Sequence, residues 1–264
     1  MSGSGAEVKI LVCVKRVPAT GGRITLTADG LDIDTRYLGF TISPHEECAV
    51  EEAVRIVEAL GGSSTVLTLG PEAAGDQLRD AMAIGIEAAV LLETDGSDWD
   101  PMATAGAIAE AVRALEADGE PFDLILFGNE AADTGDFQVG IRVATALGRP
   151  VVAGIKAIDA ADGRVVARRE ASGVGWEVFE LAMPAVLGVK EGLNLPRYPS
   201  VPGRLRAKRK EIARITPATR PGGPIKERLR LPIGTDSTVE VIGTGPAAAP
   251  AVVELLTRIG VVGR

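Results

Sequence analysis

Short apolar strand runs alternate with helix-starting signals from residue 8 to residue 147, and few folds accommodate that alternation. The first run, Val8 to Val14, is apolar and rich in β-branched residues, as a parallel strand buried on both faces requires. Further runs fall at Thr65–Leu69, Ala88–Leu92 and Leu124–Phe127, with helices expected after Ser43-Pro44, after Pro71, after Pro101 and through Gln138–Leu147. Ser43 can cap the first of these helices, Pro44 suits its first turn, and Glu46 and Glu47 suit its positive end. Val50, Ala53, Val54 and Val57 supply an apolar stripe that Gly61-Gly62 ends. Repeated βα winding of this kind gives an α/β fold with a doubly wound, mostly parallel, Rossmann-like sheet.

Two segments depart from the winding. Residues 23–33 place Asp29-Gly30 between short alternating runs, a hairpin signal inserted between the first strand and the first helix. From Val151 the period becomes that of strands, at about 151–158, 164–169, 176–181 and 185–190, with Asp162-Gly163 as a hairpin turn. After about residue 211 the chain is rich in Pro and Gly and ends in the helix-like AVVELLTRIG. The expected organisation is an α/β domain over 1–211 and, over 212–264, an extended arm with a terminal helix, which carries too little apolar residue to fold alone.

Composition narrows the function classes. The chain has 264 residues, 46% of them hydrophobic, so a sizeable core is available, and only 3% are aromatic, which suits helices packed closely on a parallel sheet. A net charge of −8 makes free nucleic acid a poor partner, although Arg204, Arg206, Lys208, Arg209, Lys210 and Arg214 form a local basic run. Cys13 and Cys48 have neither disulfide-scaffold nor zinc spacing, and no metal site is expected. His45 is the only histidine, so a nucleophilic triad has one candidate base, and the role expected for it is local to the helix start. There is no P-loop and no carboxylate pair spaced for acid–base work. Gly243 to Ala248 fits G-x-G-x-x-A, but without a βαβ unit around it the match is a decoy. No apolar run reaches the roughly 20 residues of a membrane span, and MSGSGAEVKI lacks a basic region followed by an apolar core, so a cytoplasmic protein without membrane insertion is expected.

Two segments carry the candidate chemistry. In 124–140, LILFGNEAADTGDFQVG, a buried strand breaks at Gly-Asn into a polar loop and a helix start. Backbone N–H groups near Gly135–Gly140 would face a phosphate, with Thr134 and Gln138 as side-chain donors, beside the strand end Cys13-Val14-Lys15-Arg16 at the switch point of the sheet. The same glycines also serve an ordinary βα turn. In 184–210, Pro196, Pro199 and Pro202 pin a loop ahead of the basic run, which reads either as a partner-facing surface or as a solvated, charge-protected edge strand.

Pro184-Ala185-Val186, Asn194-Leu195-Pro196-Arg197-Tyr198 and Ala207-Lys208-Arg209-Lys210 together resemble the β subunit of electron transfer flavoproteins. The resemblance spans about 8–215 and implies a heterodimer with an α subunit that holds the redox FAD, with the loop around Arg16–Thr20 walling one side of that flavin and Lys15 beside it. It implies an AMP in this chain, touched by Cys13, by Ser43, Pro44, His45 and Glu46 at an N-P-F-C-like helix start, and by Leu69. The phosphate loop would run from Gly128 and Asn129 through Asp133, Thr134, Gly135, Asp136, Phe137, Gln138 and Val139 to Gly140. It also implies a recognition loop over 196–206 for donors such as acyl-CoA dehydrogenases, with Val201 as anchor beside Pro202, Arg204, Leu205 and Arg206. Glu170 resembles the acidic residue that pairs with the mobile flavin domain of the α subunit, and the terminal helix would pack on that subunit. Electrons would pass to a quinone oxidoreductase or another flavoprotein, with no bond-making residue in this chain. Ser43 stands for the usual Asn, His45 for the usual Phe, and ADTGDFQVG differs from both I-D-D-D-C-N-Q-T-G and I-D-G-D-T-A-Q-V-G. A bifurcating β subunit with a second FAD in place of AMP and use of NADH is therefore an alternative, as is a stand-alone adenine-nucleotide-binding regulatory protein.

Overall fold

The computed structural model describes residues 7–19, 21, 24–117, 119–218, 220, 222–232 and 241–262. Thr20, Arg23 and part of the arm lie outside these described residues. The strands are β1 (Val8–Cys13), β2 (Val17–Pro18), β3 (Phe40–Thr41), β4 (Gly62–Gly70), β5 (Ala88–Glu93), β6 (Leu124–Gly128), β7 (Val151–Ala161), β8 (Arg164–Glu170), β9 (Trp176–Ala182), β10 (Ala185–Val189) and β11 (Ala213–Ile215). The helices are α1 (Pro44–Leu60), α2 (Gly75–Ile84), α3 (Pro101–Ala117), α4 (Val139–Leu147), α5 (Val201–Arg209) and α6 (Ala249–Arg258). Nine strands form one sheet in the order β11-β5-β4-β1-β6-β10-β7-β8-β9, parallel from β11 to β7 and antiparallel from β7 to β9.

The sheet is doubly wound because β1 is apolar on both faces. Ile10, Val12 and Val14 pack with α1 and α2, while Leu11 and Cys13 pack with α3 and α4. The chain passes from β1 through α1 to β4 and through α2 to β5, then returns through α3 to β6 on the other side of β1. The winding therefore reverses between β1 and β6, and the crevice of such a sheet opens at their C-terminal ends. Asp162 and Gly163, at φ 48° and 74°, turn β7 into β8 as expected. The hairpin expected over 23–33 is reduced to one bridge, Leu26 opposite Ile33, around Gly30.

Residues 201–209 correct the expectation of a loop over 196–206, because they are helical, and of the basic run read as an edge strand only Arg214 lies in one, β11 at the margin of the sheet. Ser200 caps the helix, its Oγ accepting the Gly203 N–H at 3.1 Å, and Pro202 sits in the first turn where its missing N–H costs nothing. Gly203 sets the packing on α2, since a Cβ there would lie 2.4 Å from the Ala83 carbonyl oxygen. Arg79 donates to the Ala207 and Lys210 carbonyls at 2.8 and 3.3 Å, and the Lys210 ammonium donates to Ile86 and Glu87 carbonyls. Ahead of this helix, Asn194 donates to the Cys48 carbonyl at 3.0 Å and Glu52 at 2.9 Å, and Arg197 forks across Glu51 and Glu58 of α1. The N-x-P-R-Y element is thus a clamp on α1 that leaves Leu195 and Tyr198 in solvent.

The described chain divides into two compact units, Met1–Arg228 and Leu229–Arg264. Residues 213–228, read from sequence as the start of the arm, belong to the first unit. There β11 pairs with β5, Arg214 meets Glu72 and Glu93, Asp100 accepts the Gly222 and Gly223 N–H groups, and Lys226 meets Asp32 and Asp98. The second unit contains α6, and the G-x-G-x-x-A match lies in a short 3₁₀ turn before it, outside any βαβ unit.

One buried side chain fastens the crevice. Glu46, 6% exposed, accepts the Ser43 N–H through Oε2 at 2.8 Å while Ser43 Oγ accepts the Glu46 N–H at 3.2 Å, a reciprocal cap at the start of α1. Its Oε1 accepts the Lys15 N–H at 2.8 Å just past β1. Gly128 makes room for it at the end of β6, where a Cβ would lie 2.7 Å from Glu46 Cγ. Burial pushes the carboxyl up from its ordinary 4.5 to about 7, against the pull of the two backbone N–H groups.

Two outcomes follow from this packing. Gly203→Ala should lower the free energy of unfolding by about 1–3 kcal/mol through overpacking of α5 on α2, read as a lower urea midpoint at unchanged slope. Because the folded chain retains the Glu46 proton that the unfolded chain releases, its stabilising contribution is complete below about pH 4.5 and is lost as pH rises through about 7. The stability advantage of the native chain over Glu46→Gln should therefore shrink by about 3 kcal/mol between pH 4.5 and 8. A pH-independent difference in denaturant titrations contradicts this.

Candidate functional site

The C-terminal ends of β1 and β6 bring most of the sequence-selected residues together. Lys15 Nζ meets Asp133 Oδ1 at 2.8 Å, tying the exit of β1 to the loop after β6. That loop starts with the Asn129 N–H donating to the Val189 carbonyl at 2.8 Å and turns through the Ala131 N–H to the Asp136 carbonyl and the Gly135 N–H to the Ala131 carbonyl. Gly135 takes φ 64°, which glycine adopts without strain, and a Cβ there would meet nothing within 4 Å. Asp136 Oδ1 accepts the Gln138 N–H at 2.9 Å, and α4 begins without a side-chain cap on its remaining N–H groups. Gly140 lets α4 close on Phe127, whose ring would be 3.1 Å from a Cβ. Thr134 and Phe137 are exposed and Val139 is half-buried.

Gln138 differs from the expectation in detail. Its Oε1 accepts Arg142 Nε at 3.0 Å and Nη2 at 2.8 Å, so the amide nitrogen is the donor left to it. Arg142 is a functional candidate that the sequence reading missed, and its i,i+4 spacing from Gln138 on α4 is the signal that points to it.

His45 links more than the helix start. Its Nδ1 accepts the Glu191 N–H at 2.7 Å, which leaves the proton on Nε2, 3.3 Å from Glu130 Oε1. The ring thus ties α1 to the exits of β10 and β6, contacts that no local pattern reveals. Pro44 is exposed in the first turn. Cys13 and Leu69 lie on the α3–α4 face of neighbouring strands, with Cys13 opposite Leu67 in β4. Burial, with the Glu46 carboxylate adding to it, pushes the Cys13 thiol far up, so it is a neutral wall group rather than a nucleophile. Arg16 lies over the Phe40 ring at 3.2 Å, and burial draws its guanidinium pKa down.

The partner-side candidates form separate surfaces. Val201 and Leu205 are exposed on α5 and line a groove with Asp76, Asp80 and Ala83 of α2 and with Arg204 and Lys208, while Pro202 and Arg206 occupy the other exposed flank of α5. Glu170 ends β8, half-exposed, with Lys156 at 3.0 Å. Among the described residues no group of three or more His, Cys, Asp or Glu side chains is arranged to hold a metal ion. No described helix is long and apolar enough to cross a membrane.

The electron transfer flavoprotein domain matches residues 30–219. The electron transfer flavoprotein subunit beta of Syntrophomonas wolfei subsp. wolfei is 38% identical over 208 residues, covering 78% of this chain and 79% of the relative. The subunit of that name from Mycobacterium leprae is 34% identical over 213 residues, 78% of each chain, and that from Bacillus subtilis is 33% identical over 208 residues, 79% of each. Since the domain match takes in β4 through β11 and the relatives share more than three quarters of the length, the chain belongs to the β-subunit family of electron transfer flavoproteins.

Proposed function

We propose that this chain is the β subunit of a cytoplasmic heterodimeric electron transfer flavoprotein, that it binds AMP in the crevice between β1 and β6, and that it walls one side of an FAD held mainly by the α subunit. Family membership implies the electron-transfer role and an α partner in general; the observation that supports the nucleotide is the fastening of Lys15, Ser43, Glu46 and Gly128 at the switch point.

The donor set suits a phosphate. The uncapped N–H groups of α4, the Gln138 amide and the Arg142 guanidinium belong to the first turns of α4, and Gly135 in the loop before it has open space around it. The three carboxylates of the loop are engaged, Glu130 by His45, Asp133 by Lys15 and Asp136 by the Gln138 N–H, so the loop opposes an anion less than its acidic composition suggests. Cys13 and Leu69 offer a neutral wall for the adenosine. Bound FAD supplies the chemistry of accepting and releasing electrons. The work of this chain is to orient the flavin, exclude water from one face and choose the donor. Val201 and Leu205 on α5 supply an aliphatic anchor beside Arg204, Arg206 and Lys208 for a donor such as an acyl-CoA dehydrogenase, with a quinone oxidoreductase as acceptor. Glu170 and α6 are assigned to the α subunit.

Co-expression with an α subunit, denaturation of the purified complex and quantification of released nucleotides should give one FAD and one AMP per heterodimer. Two FAD without AMP would move the reading to a bifurcating subunit, and no flavin would overturn it. Val201→Glu should slow electron transfer from the donor about tenfold at unchanged nucleotide content. Arg142→Glu should lower AMP retention, also about tenfold, by placing negative charge beside the phosphate, and full retention would reduce the loop to a turn.

A further inference from the structure

We propose that Arg16 presents its guanidinium to a negatively charged acceptor edge of the bound FAD, and that Phe40 and Gln77 are the positioning residues that aim it. This rests on the reading above that the Arg16 segment walls the flavin.

Arg16 is spent unlike the other arginines of the crevice and its flanks. Arg142, Arg149, Arg197 and Arg214 each direct at least one N–H group to a side-chain oxygen. The Arg16 guanidinium donates no hydrogen bond among the described residues and instead lies over the Phe40 ring, 3.2 Å from its centroid, a separation that only a stacked arrangement accommodates. Stacking fixes one face of the planar group while its N–H donors, which lie in the plane, stay available at the rim. Its surroundings are partly dry, and among the described residues the exposed Asp76 is the acidic group set against its charge. A held, partly desolvated cation with unspent donors gains most when an anionic acceptor arrives, because the cost of ordering and drying it is already met in the fold.

The platform is built for the purpose. Phe40 pairs with Pro18 in the short β2–β3 ladder, which the Ala19 N–H extends to the Gly39 carbonyl at 2.9 Å. The ladder is anchored by Gln77, 5% exposed, whose Nε2 donates to the Phe40 carbonyl at 3.4 Å while its Oε1 has no donor among the described residues. A buried amide that leaves its own oxygen without a partner is costly, and its one hydrogen bond holds the residue on which Arg16 rests.

Reduction of the flavin by two electrons and one proton, supplied by the dehydrogenase donor, leaves one negative charge on the ring system. A cation at that edge favours the reduced form, whereas a cation at the FAD pyrophosphate favours binding alone. The test uses the co-expressed heterodimer with Arg16→Met, Arg16→Lys and Phe40→Leu, measuring FAD per heterodimer and the flavin midpoint potential by reductive titration. If the ring edge is the target, Arg16→Met keeps its FAD and loses about tenfold in preference for the reduced form, about 30 mV for two electrons. Phe40→Leu and Arg16→Lys then shift the same way by less. If the pyrophosphate is the target, FAD content falls while the retained flavin keeps its potential. Wild-type FAD content and potential in Arg16→Met overturn the proposal, as does a loss of thermal stability alone. Should Arg16→Met fail to assemble, unchanged content and potential in both other variants overturn it equally. A native heterodimer that carries no FAD overturns the family-based reading itself, and this proposal with it.

Discussion

The carboxylate of Glu46 is shared between two backbone N–H groups that belong to different segments, Ser43 at the start of α1 and Lys15 at the exit of β1. A carboxyl group removed from water in this way, charged or protonated, costs free energy unless its oxygens are satisfied, so within the fold the two segments cannot part without leaving it unsatisfied. Gly128 completes the arrangement by removing the Cβ that would collide with Glu46. The end of β1, the start of α1 and the end of β6 are thereby held at one point, and the loop that carries the candidate phosphate donors departs from it. Lys15–Asp133 and His45–Glu130 then extend the same fastening outward.

The second surface is built by a different device. The segment leading to α5 is clamped to α1 by Asn194 and by the Arg197 fork, of which the Glu51 side is buried and the Glu58 side exposed. The close approach at Gly203 and the capping of α5 by Arg79 seat that helix against α2. With the inward residues of the segment spent on the clamp, Val201, Leu205 and the flanking cations are left facing outward on a rigid helix rather than a loop. Rigidity lowers the ordering cost of docking.

How much was legible in the chain depended on the range of the interaction concerned. Strands and helices of the winding carry their own signals: β-branched runs buried on both faces, Ser43-Pro44 with Glu46 as an N-terminal cap, glycines at helix ends. The Asp162-Gly163 hairpin was legible for the same reason. The helix at 201–209 was not, because Pro202 reads as pinning a loop, whereas it is a first-turn residue, and the contact of Gly203 with α2 has no local signal. Arg197 with Glu51 and the His45 ring with Glu191 each join residues 146 apart, and no spacing rule reaches that far. In the site, the segments that meet were legible from the switch-point rule, but not that Glu46 would hold them or that Arg142 would join Gln138.

We propose that the crevice fastened by Glu46 is an adenine-nucleotide site. A crystal structure of the native heterodimer tests it most directly. The expected result is electron density for one adenine nucleotide at the C-terminal ends of β1 and β6, its phosphate against the start of α4 and its adenosine beside Cys13 and Leu69. A flavoprotein complex whose only nucleotide density lies elsewhere, with this crevice filled by side chains or solvent, would contradict it.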